Sequence, residues 1–362
     1  MAAAPTSVPG ADRVRADQWH LRYLHVAEAQ QISRGAGVTV AVIDTGIEGH
    51  PDLQGNLLPG RDTFPGGTGD GRQDAEGHGT GMAGLIAAHG EGGRQGALGI
   101  APDARLLPVR YAIHPGTTNA DADSVAASID WAITQGARVL NLSFTGGSTA
   151  SEVMAVRKAL QADAVLVAGA GNRPDDLGVG FPAAMEGVLA VGATDRSGKR
   201  AAISVTGRKL GIVAPGVDIY STGLHGGYRK GTGTSDATAI VAGAAALVRS
   251  RFPDLSAAEV VHRLTATATD RGPPGRDDEY GYGELNLVAA LTADVPPLSA
   301  GPSGPGPGPA ASGTAASGPV SPGPTGSAPP ASRGPVTAVV VGLAVLLAIV
   351  VAGVLLAPRL RH

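Results

Sequence analysis

Four short apolar runs constrain the fold of this chain more than any other feature of its sequence. They occupy residues 38–43, 138–142, 164–168 and 188–191. Continuous apolar runs of this length are typical of parallel strands that are covered on both faces. Between the runs, residues 123–135, 151–161 and 256–267 show helical spacing and begin with Ser or Asp, which suits helix N-caps. The sequence therefore predicts an α/β fold with a doubly wound, mostly parallel sheet and helices on both faces.

The composition divides the 362 residues into five segments. We expect an N-terminal extension over residues 1–35 and the α/β domain over 36–292. Residues 293–335 are rich in Pro, Gly, Ser and Ala and bury too little apolar surface to fold, so they are predicted to be a disordered linker. Residues 336–357 carry no charge and would be roughly 33 Å long as a helix, enough to cross a membrane. Residues 358–362 remain as a tail.

The charges around residues 336–357 predict how the chain is oriented in the membrane. Arg359 and Arg361 follow this segment, whereas Arg333 stands alone before it. The positive-inside rule therefore places the tail in the cytoplasm and the folded domain outside the cell membrane, with a single pass. No signal peptide is visible, because the first 30 residues are interrupted by charges. Either the true start lies upstream of Met1, which we favour, or the protein is tail-anchored with its domain inside.

Charge and composition exclude several functional classes. The net charge is −3 and the 28 Lys and Arg residues are scattered, so no nucleic acid partner is expected. The absence of cysteine excludes disulfides, thiolate metal sites and a Cys nucleophile.

One glycine motif suggests a different class of enzyme. The motif Gly169-Ala-Gly171 follows a predicted strand, as in dinucleotide-binding enzymes. That fingerprint lacks its third glycine, and Pro174 stands where its helix should begin, so we reject this reading.

Three polar residues stand where an open α/β sheet presents reactive groups. Asp44 directly follows the run 38–43, and His78 begins a helix of small residues. Ser235 precedes a helix that is apolar on every face, where backbone N–H groups and the helix dipole favour a developing oxyanion. Each residue alone has an ordinary explanation as a turn, surface or capping residue. Their order Asp, His, Ser is a recurrent order of a nucleophilic triad, and Asn172 adds an amide donor at another strand end.

The segments around these residues resemble the signature segments of the subtilase family across about 250 residues. They are Asp44-Thr-Gly46, His50-Pro-Asp-Leu53, Gly77-His-Gly-Thr80, Asn141-Leu-Ser143, Ala168-Gly-Ala-Gly-Asn172 and Gly233-Thr-Ser235. Other features are similar to mycosins, the membrane-anchored subtilases associated with type VII secretion in actinobacteria. These features are Asp17-Gln-Trp19-His-Leu21, Met82-Ala-Gly-Leu-Ile86, Leu107-Pro-Val-Arg110 and the Pro-rich stalk before the C-terminal span.

The resemblance implies a subtilisin-like serine endopeptidase. Ser235 would attack the scissile carbonyl, His78 would transfer the proton, and Asp44 would orient the imidazole. Asn172 and the Ser235 N–H would bind the oxyanion. A polypeptide substrate would bind as an added strand, and the membrane and type VII secretion components are the other expected partners. The resemblance assigns one edge of the cleft to Ser143, Phe144, Thr145 and Gly146, and the opposite wall to Ala168, Gly169 and Ala170.

Three residues depart from the family pattern. Asp236 and Ala239 replace an apolar residue and a Pro after the nucleophile. Asp236 would disfavour an anionic transition state unless its side chain points to solvent or to an N–H. Thr145 stands where the family has Gly and should restrict the substrate. The alternative is therefore an impaired subtilase that serves as a structural partner in a membrane secretion complex.

No cofactor is predicted, although subtilases often carry structural calcium. No cluster of carboxylates has the spacing of a calcium loop, so no metal ligand is assigned. The acidic loop residues are interpreted as solvated charges: Asp74, Glu76, Asp175, Asp176, Asp277 and Asp278. A long inhibitory propeptide is not expected, since only about 35 residues precede the first strand. The segment through Trp19 should instead pack on the domain.

Overall fold

The computed structural model describes residues 10–92, 95–112 and 122–298. The helices in this part of the chain are α1 (Val14–Asp17), α2 (Trp19–Tyr23), α3 (Val26–Ile32), α4 (His78–Ala87), α5 (Ala122–Thr134), α6 (Ala150–Gln161), α7 (Thr234–Arg251), α8 (Ala257–Ala266) and α9 (Leu287–Thr292). The strands are β1 (Thr39–Asp44), β2 (Arg61–Asp62), β3 (Arg105–Arg110), β4 (Val139–Leu142), β5 (Val165–Gly169), β6 (Leu189–Thr194), β7 (Ile212–Pro215), β8 (Ile219–Thr222) and β9 (Tyr228–Gly231).

Seven of the strands form one parallel sheet in the order β2-β3-β1-β4-β5-β6-β7. From β1 the chain builds the sheet outward in both directions, so Ala41 lies opposite Leu107 on one side and Leu140 on the other. The order therefore changes direction beside β1. Ligands of open α/β sheets bind outside the carboxyl ends of the strands at such a switch point. Strands β8 and β9 form a separate antiparallel hairpin.

The sheet is covered on both faces, which confirms the predicted doubly wound α/β arrangement. Val40 and Val42 of β1 share one core with residues of α4 and α7. Ala41 and Ile43 point to the opposite face and share a second core with residues of α5 and α6. Strands buried on two sides need apolar residues at consecutive positions, and this explains why the runs in the sequence are continuous.

Helix α7 is the central helix of the first core, and it begins at the site described below. Its residues from Thr234 to Arg249 are buried except Ser235. This agrees with the expectation from its apolar sequence. No helix in the described part of the chain is both long enough and apolar enough to cross a membrane. The predicted span 336–357, the tail 358–362 and the linker beyond residue 298 lie outside the described residues.

The N-terminal residues from Gly10 through Trp19 pack on the domain, as the sequence predicts. The indole Nε1 of Trp19 donates to the carbonyls of Val217 at 3.1 Å and Asp218 at 3.2 Å. The Gln18 side chain bonds both the N–H and the carbonyl of Leu98. In α2, His20 is fully buried, and neither ring nitrogen has a hydrogen-bond partner among the described residues. Burial lowers the pKa of His20 to about 3.

Candidate active site

A cleft of about 320 Å³ opens at the carboxyl ends of the central strands. Asp44 is the last residue of β1, and His78 is the first residue of α4. Ser235 lies in the first turn of α7, and Asn172 follows β5. The fold thus brings together four residues that are far apart in the chain. The cleft is lined by His78, Ser143, Phe144, Thr145, Gly169, Asn172, Asp175, Asp176, Thr234 and Ser235.

Asp44 lies behind His78 and is 3% exposed. Its Oδ1 is 2.7 Å from His78 Nδ1 and also accepts the Thr45 N–H at 2.8 Å. This approach needs Gly79, because a Cβ there would lie 2.1 Å from the carbonyl oxygen of Gly46. Burial by itself lowers the pKa of His78, but the charge and hydrogen bond of Asp44 outweigh burial, and the pKa is raised above 6.5. The imidazole is therefore oriented, with its other nitrogen free to act as a base.

Asp74 organises the loop that leads into His78, and it was wrongly interpreted as a solvated charge. Its side chain is 6% exposed and accepts five hydrogen bonds. The donors are the Thr45 hydroxyl, the Glu76 and Gly77 N–H groups, and both the N–H and the hydroxyl of Thr80. Asp74 therefore connects the end of β1 to the first turn of α4, the two elements that hold Asp44 and His78.

We expect Asp74→Asn to destabilise the domain strongly. The amide would turn one acceptor oxygen into a donor that faces other buried donors, at a cost of about 2–4 kcal/mol in the free energy of unfolding. Denaturant titration of the purified domain measures this. The matched control is Asp70→Asn, since Asp70 lies in the same loop but is exposed. A loss for Asp74→Asn no larger than the loss for Asp70→Asn would contradict the assigned role.

Ser235 is supported by residues at the end of β4 and directly after it. Its Oγ donates to the carbonyl of Ser143 at 3.3 Å, and the Ser143 Oγ donates to the carbonyl of Ser235 at 3.2 Å. The buried Asn141 in turn donates from Nδ2 to Ser143 Oγ at 3.0 Å. Ser235 and His78 line the same cleft, yet their side chains are not hydrogen-bonded to each other. For catalysis the Ser235 hydroxyl must turn from the Ser143 carbonyl toward the imidazole.

Asn172 is placed to donate into the cleft. Its Oδ1 accepts the Thr234 N–H at 2.9 Å. Because the oxygen faces Thr234, the two hydrogens on Nδ2 are left for another acceptor. The backbone N–H of Asn172 is held by Asp176 Oδ2 at 2.7 Å. Asn172 therefore stands next to the start of α7 with its amide nitrogen available to an oxyanion.

Of the remaining residues that the sequence assigned to the cleft, some line it and others do not. Thr145 lies in the wall, where its hydroxyl donates to Asp176 Oδ1 at 3.0 Å. Asp176 was read as a solvated charge, but it connects Thr145 to the Asn172 backbone. Gly146 instead forms an antiparallel bridge with Phe181. Ala168 and Ala170 are fully buried and do not line the cleft, whereas Gly169 between them does.

Asp236 is neither solvent-exposed nor hydrogen-bonded to an N–H of the backbone. It is 2% exposed, and its Oδ1 is 3.0 Å from Arg229 Nη1. Arg229 was missed at the level of the sequence. The sequence could have indicated such a partner, because a carboxylate on a helix that is buried on every face requires a nearby cation.

Within the described residues, no group of three or more His, Asp or Glu side chains could hold a metal ion.

Comparison with known proteins gives concordant matches. A sequence profile of the Subtilase family matches residues 35–283. Subtilisin DY of Bacillus licheniformis is 40% identical over 263 residues, which are 71% of this chain and 92% of that protein. The crystal structure of MycP1 from the ESX-1 type VII secretion system is 34% identical, with a TM-score of 0.71, covering 81% of this chain and 89% of MycP1. The structure of the MycP3 protease from the type VII (ESX-3) secretion system is 36% identical, with a TM-score of 0.69, covering 81% and 91%.

Proposed function

We propose that this chain, which belongs to the subtilase family and is a serine endopeptidase, hydrolyses peptide bonds through Asp44, His78 and Ser235. The observation that carries the proposal is the 2.7 Å hydrogen bond between His78 and Asp44 at the edge of the cleft that also contains Ser235. An oriented base beside a hydroxyl at a helix N-terminus is the arrangement that nucleophilic catalysis by serine requires.

We propose the following reaction for these residues. Ser235 Oγ attacks the scissile carbonyl carbon while His78 Nε2 accepts its proton, and Asp44 stabilises the imidazolium through Nδ1–H. Asn172 Nδ2 and the Ser235 N–H donate to the oxyanion. His78 then gives the proton to the leaving amine, the C–N bond breaks, and an acyl-enzyme remains. Water then attacks the ester carbonyl carbon while His78 accepts its proton. The bond from this carbon to Ser235 Oγ breaks, and His78 returns the proton to Oγ.

The substrate is proposed to bind as an added strand beside the segment that follows β4. Gly146 already uses its N–H and carbonyl in the bridge to Phe181, at 3.0 and 3.1 Å. The added strand is therefore limited to positions before Gly146. The hydrogen bond between Thr145 and Asp176 lies in the cleft wall at this point. It reduces the space for a side chain of the substrate. We infer restricted substrates, as expected from a Thr at a position where the family has Gly.

The experiment that tests the proposal is reaction with a fluorophosphonate probe, followed by cleavage of a peptide library. An active enzyme forms a covalent adduct on the peptide that contains Ser235 and cleaves a defined subset of sequences. Well-folded protein that neither labels nor cleaves would support the alternative, a structural partner of a secretion complex. The ion pair of Asp236 with Arg229 supports the enzyme, because the charge that raised this alternative is compensated.

We further propose that residues 293–335 are a linker and that residues 336–357 anchor the enzyme in the cell membrane, with the catalytic domain outside and the tail in the cytoplasm. The sequence pattern supports the linker and the anchor. The solved relatives support a link to type VII secretion, because MycP1 is an essential component of the type VII (ESX-1) secretion system. We propose a role in type VII secretion for this chain as well, with membrane components of that system as partners. No cofactor enters the proposed reaction.

The cysteine-free sequence allows a direct test of this topology. Single cysteines at Ser312→Cys, in the linker, and Leu360→Cys, in the tail, are each introduced and treated with a membrane-impermeant maleimide. We expect the maleimide to label the Ser312→Cys variant in intact cells. It should label the Leu360→Cys variant only after the cells are permeabilised. The parent chain serves as the unlabelled control. Labelling of Leu360→Cys but not Ser312→Cys in intact cells would reverse the orientation, and a soluble protein in cell fractionation would exclude the anchor.

A further inference from the structure

An ion pair lies beside the triad, between the helix that carries His78 and the helix that carries Ser235. Arg229 Nη1 and Asp236 Oδ1 are 3.0 Å apart, and the two side chains are 24% and 2% exposed. Arg229 belongs to β9, whereas Asp236 directly follows Ser235 in α7. A charged pair at this depth costs desolvation energy that an apolar side chain of similar size would not. Its presence directly beside the nucleophile therefore needs an explanation.

The surrounding backbone is shaped to admit the Arg229 side chain. A Cβ on Gly81 of α4 would lie 2.5 Å from Arg229 Cδ. A Cβ on Gly231 would lie 2.0 Å from Arg229 Nη2 and 2.7 Å from Asp236 Oδ1. Gly81 is about one turn beyond His78, so the guanidinium contacts the first turns of both α4 and α7. Glycine at these two positions leaves room for the pair in the geometry that it adopts here.

The hairpin that carries Arg229 is itself attached to α4. Ser221 Oγ donates to the Gly81 carbonyl and Thr222 Oγ1 donates to the Thr80 carbonyl, both at 2.7 Å. A displacement of the hairpin would therefore move the helix of His78. Through Arg229 the same hairpin holds Asp236, the neighbour of Ser235. The pair thus connects the two helices whose relative position decides whether Ser235 and His78 can meet.

Charges reach His78 from three packed elements: Asp44 of β1, Arg229 of β9 and Asp236 of α7. Asp175 and Asp176 lie across the cleft. Burial lowers the pKa of His78 and Asp44 raises it, whereas Arg229 lowers it and Asp236 raises it. The effects of Arg229 and Asp236 on the imidazole are opposite in sign. As long as both residues are present, their effects on His78 therefore oppose each other.

We propose that Arg229 and Asp236 act as one positioning unit, which holds α4 against α7 and presents a balanced charge to His78, so that neutralising either residue shifts the pH dependence of activity. This inference rests on the proposed function, because it assumes that His78 is the base. It gives a positioning role to an ion pair at a position where the family pattern has an apolar residue.

The test compares the pH profiles of kcat/KM of Arg229→Met, Asp236→Asn and the double variant Arg229→Met/Asp236→Met, with a peptide substrate. Arg229→Met leaves an unbalanced anion near His78, so its acid limb should move up by at least about 0.5 pH unit. Asp236→Asn leaves an unbalanced cation, so its acid limb should move down. The double variant should return close to the wild-type profile. Lys230→Met is the matched control, since Lys230 neighbours Arg229 on the same strand but pairs with the exposed Asp218.

The outcomes separate the inference from the proposed function. If the wild-type protein neither hydrolyses peptides nor labels with the phosphonate, the proposed function fails. If it is active but the single variants lose activity without a shift of the acid limb, or shift it in the same direction, the inference is wrong and the pair is only structural. Arg229→Lys, which keeps the cation, should keep the wild-type profile. Should Arg229→Met fail to fold, Asp236→Asn and the double variant still decide.

Discussion

Replacing Ser235 by alanine is expected to abolish peptide hydrolysis and phosphonate labelling. The substitution removes the attacking oxygen and leaves His78, Asp44 and Asn172 in place. In subtilisin itself, loss of the nucleophile lowers kcat by about six orders of magnitude, and we expect a loss of that size here. Hydrolysis of a fluorogenic peptide and the intact mass after treatment with the probe measure the two effects.

The matched control for this variant is Ser250→Ala. Ser250 lies at the other end of α7, where its hydroxyl donates to the Ala36 carbonyl at 2.8 Å. The control should retain full labelling. The Ser235→Ala variant should unfold at a temperature close to that of the wild-type protein, because the Ser235 hydroxyl contributes only a long hydrogen bond to the fold. Labelling that persists in Ser235→Ala would place the nucleophile elsewhere.

Asp44→Asn is expected to lower kcat by about four orders of magnitude, with the fold intact. The amide has nearly the shape of the carboxylate, but it carries no charge to stabilise the imidazolium. It can also present a donor to Nδ1, which selects the wrong tautomer of His78. Steady-state kinetics on the peptide that the wild-type enzyme cleaves best would measure the loss.

The pH profile gives Asp44→Asn a second signature. Activity requires neutral His78, whose pKa lies above 6.5 because Asp44 outweighs burial, so wild-type activity should fall as the pH drops through that raised value. Without the charge of Asp44, the residual activity should persist to lower pH. Asp218→Asn, at an exposed ion pair, is the control and should leave rate and profile unchanged. An unchanged acid limb in Asp44→Asn would show that another group sets it.

The sequence predicted the strands on which the candidate triad depends, because burial on both faces leaves a continuous apolar run. It did not show β3, whose ends are charged and whose interior contains Pro108. Proline is disfavoured within a sheet since it lacks an N–H donor. It is accommodated here because the neighbouring β2 pairs only with Val109 and Arg110, beyond the proline.

The supporting residues of the site were harder to predict than the triad. Asp74 looks like any loop carboxylate, and its role exists only because Thr45 and Thr80 are folded against it. Arg229 lies close to Asp236 in the chain, but a hairpin and a glycine of another helix are needed to bury the pair. Patterns along the chain reveal which residues are buried. They do not reveal which distant donors and cations meet those residues.

The buried imidazole of His20 couples the fold to acidity. The folded chain keeps this side chain neutral, with a pKa of about 3 against the ordinary value of 6.5. The folded state therefore loses stability as the pH falls from 6.5 toward 3, because the unfolded chain binds a proton that the folded chain does not bind. In thermodynamic terms, the proton is a ligand of the unfolded ensemble. Acid therefore destabilises the folded chain through His20, a residue of the N-terminal segment that lies outside the cleft.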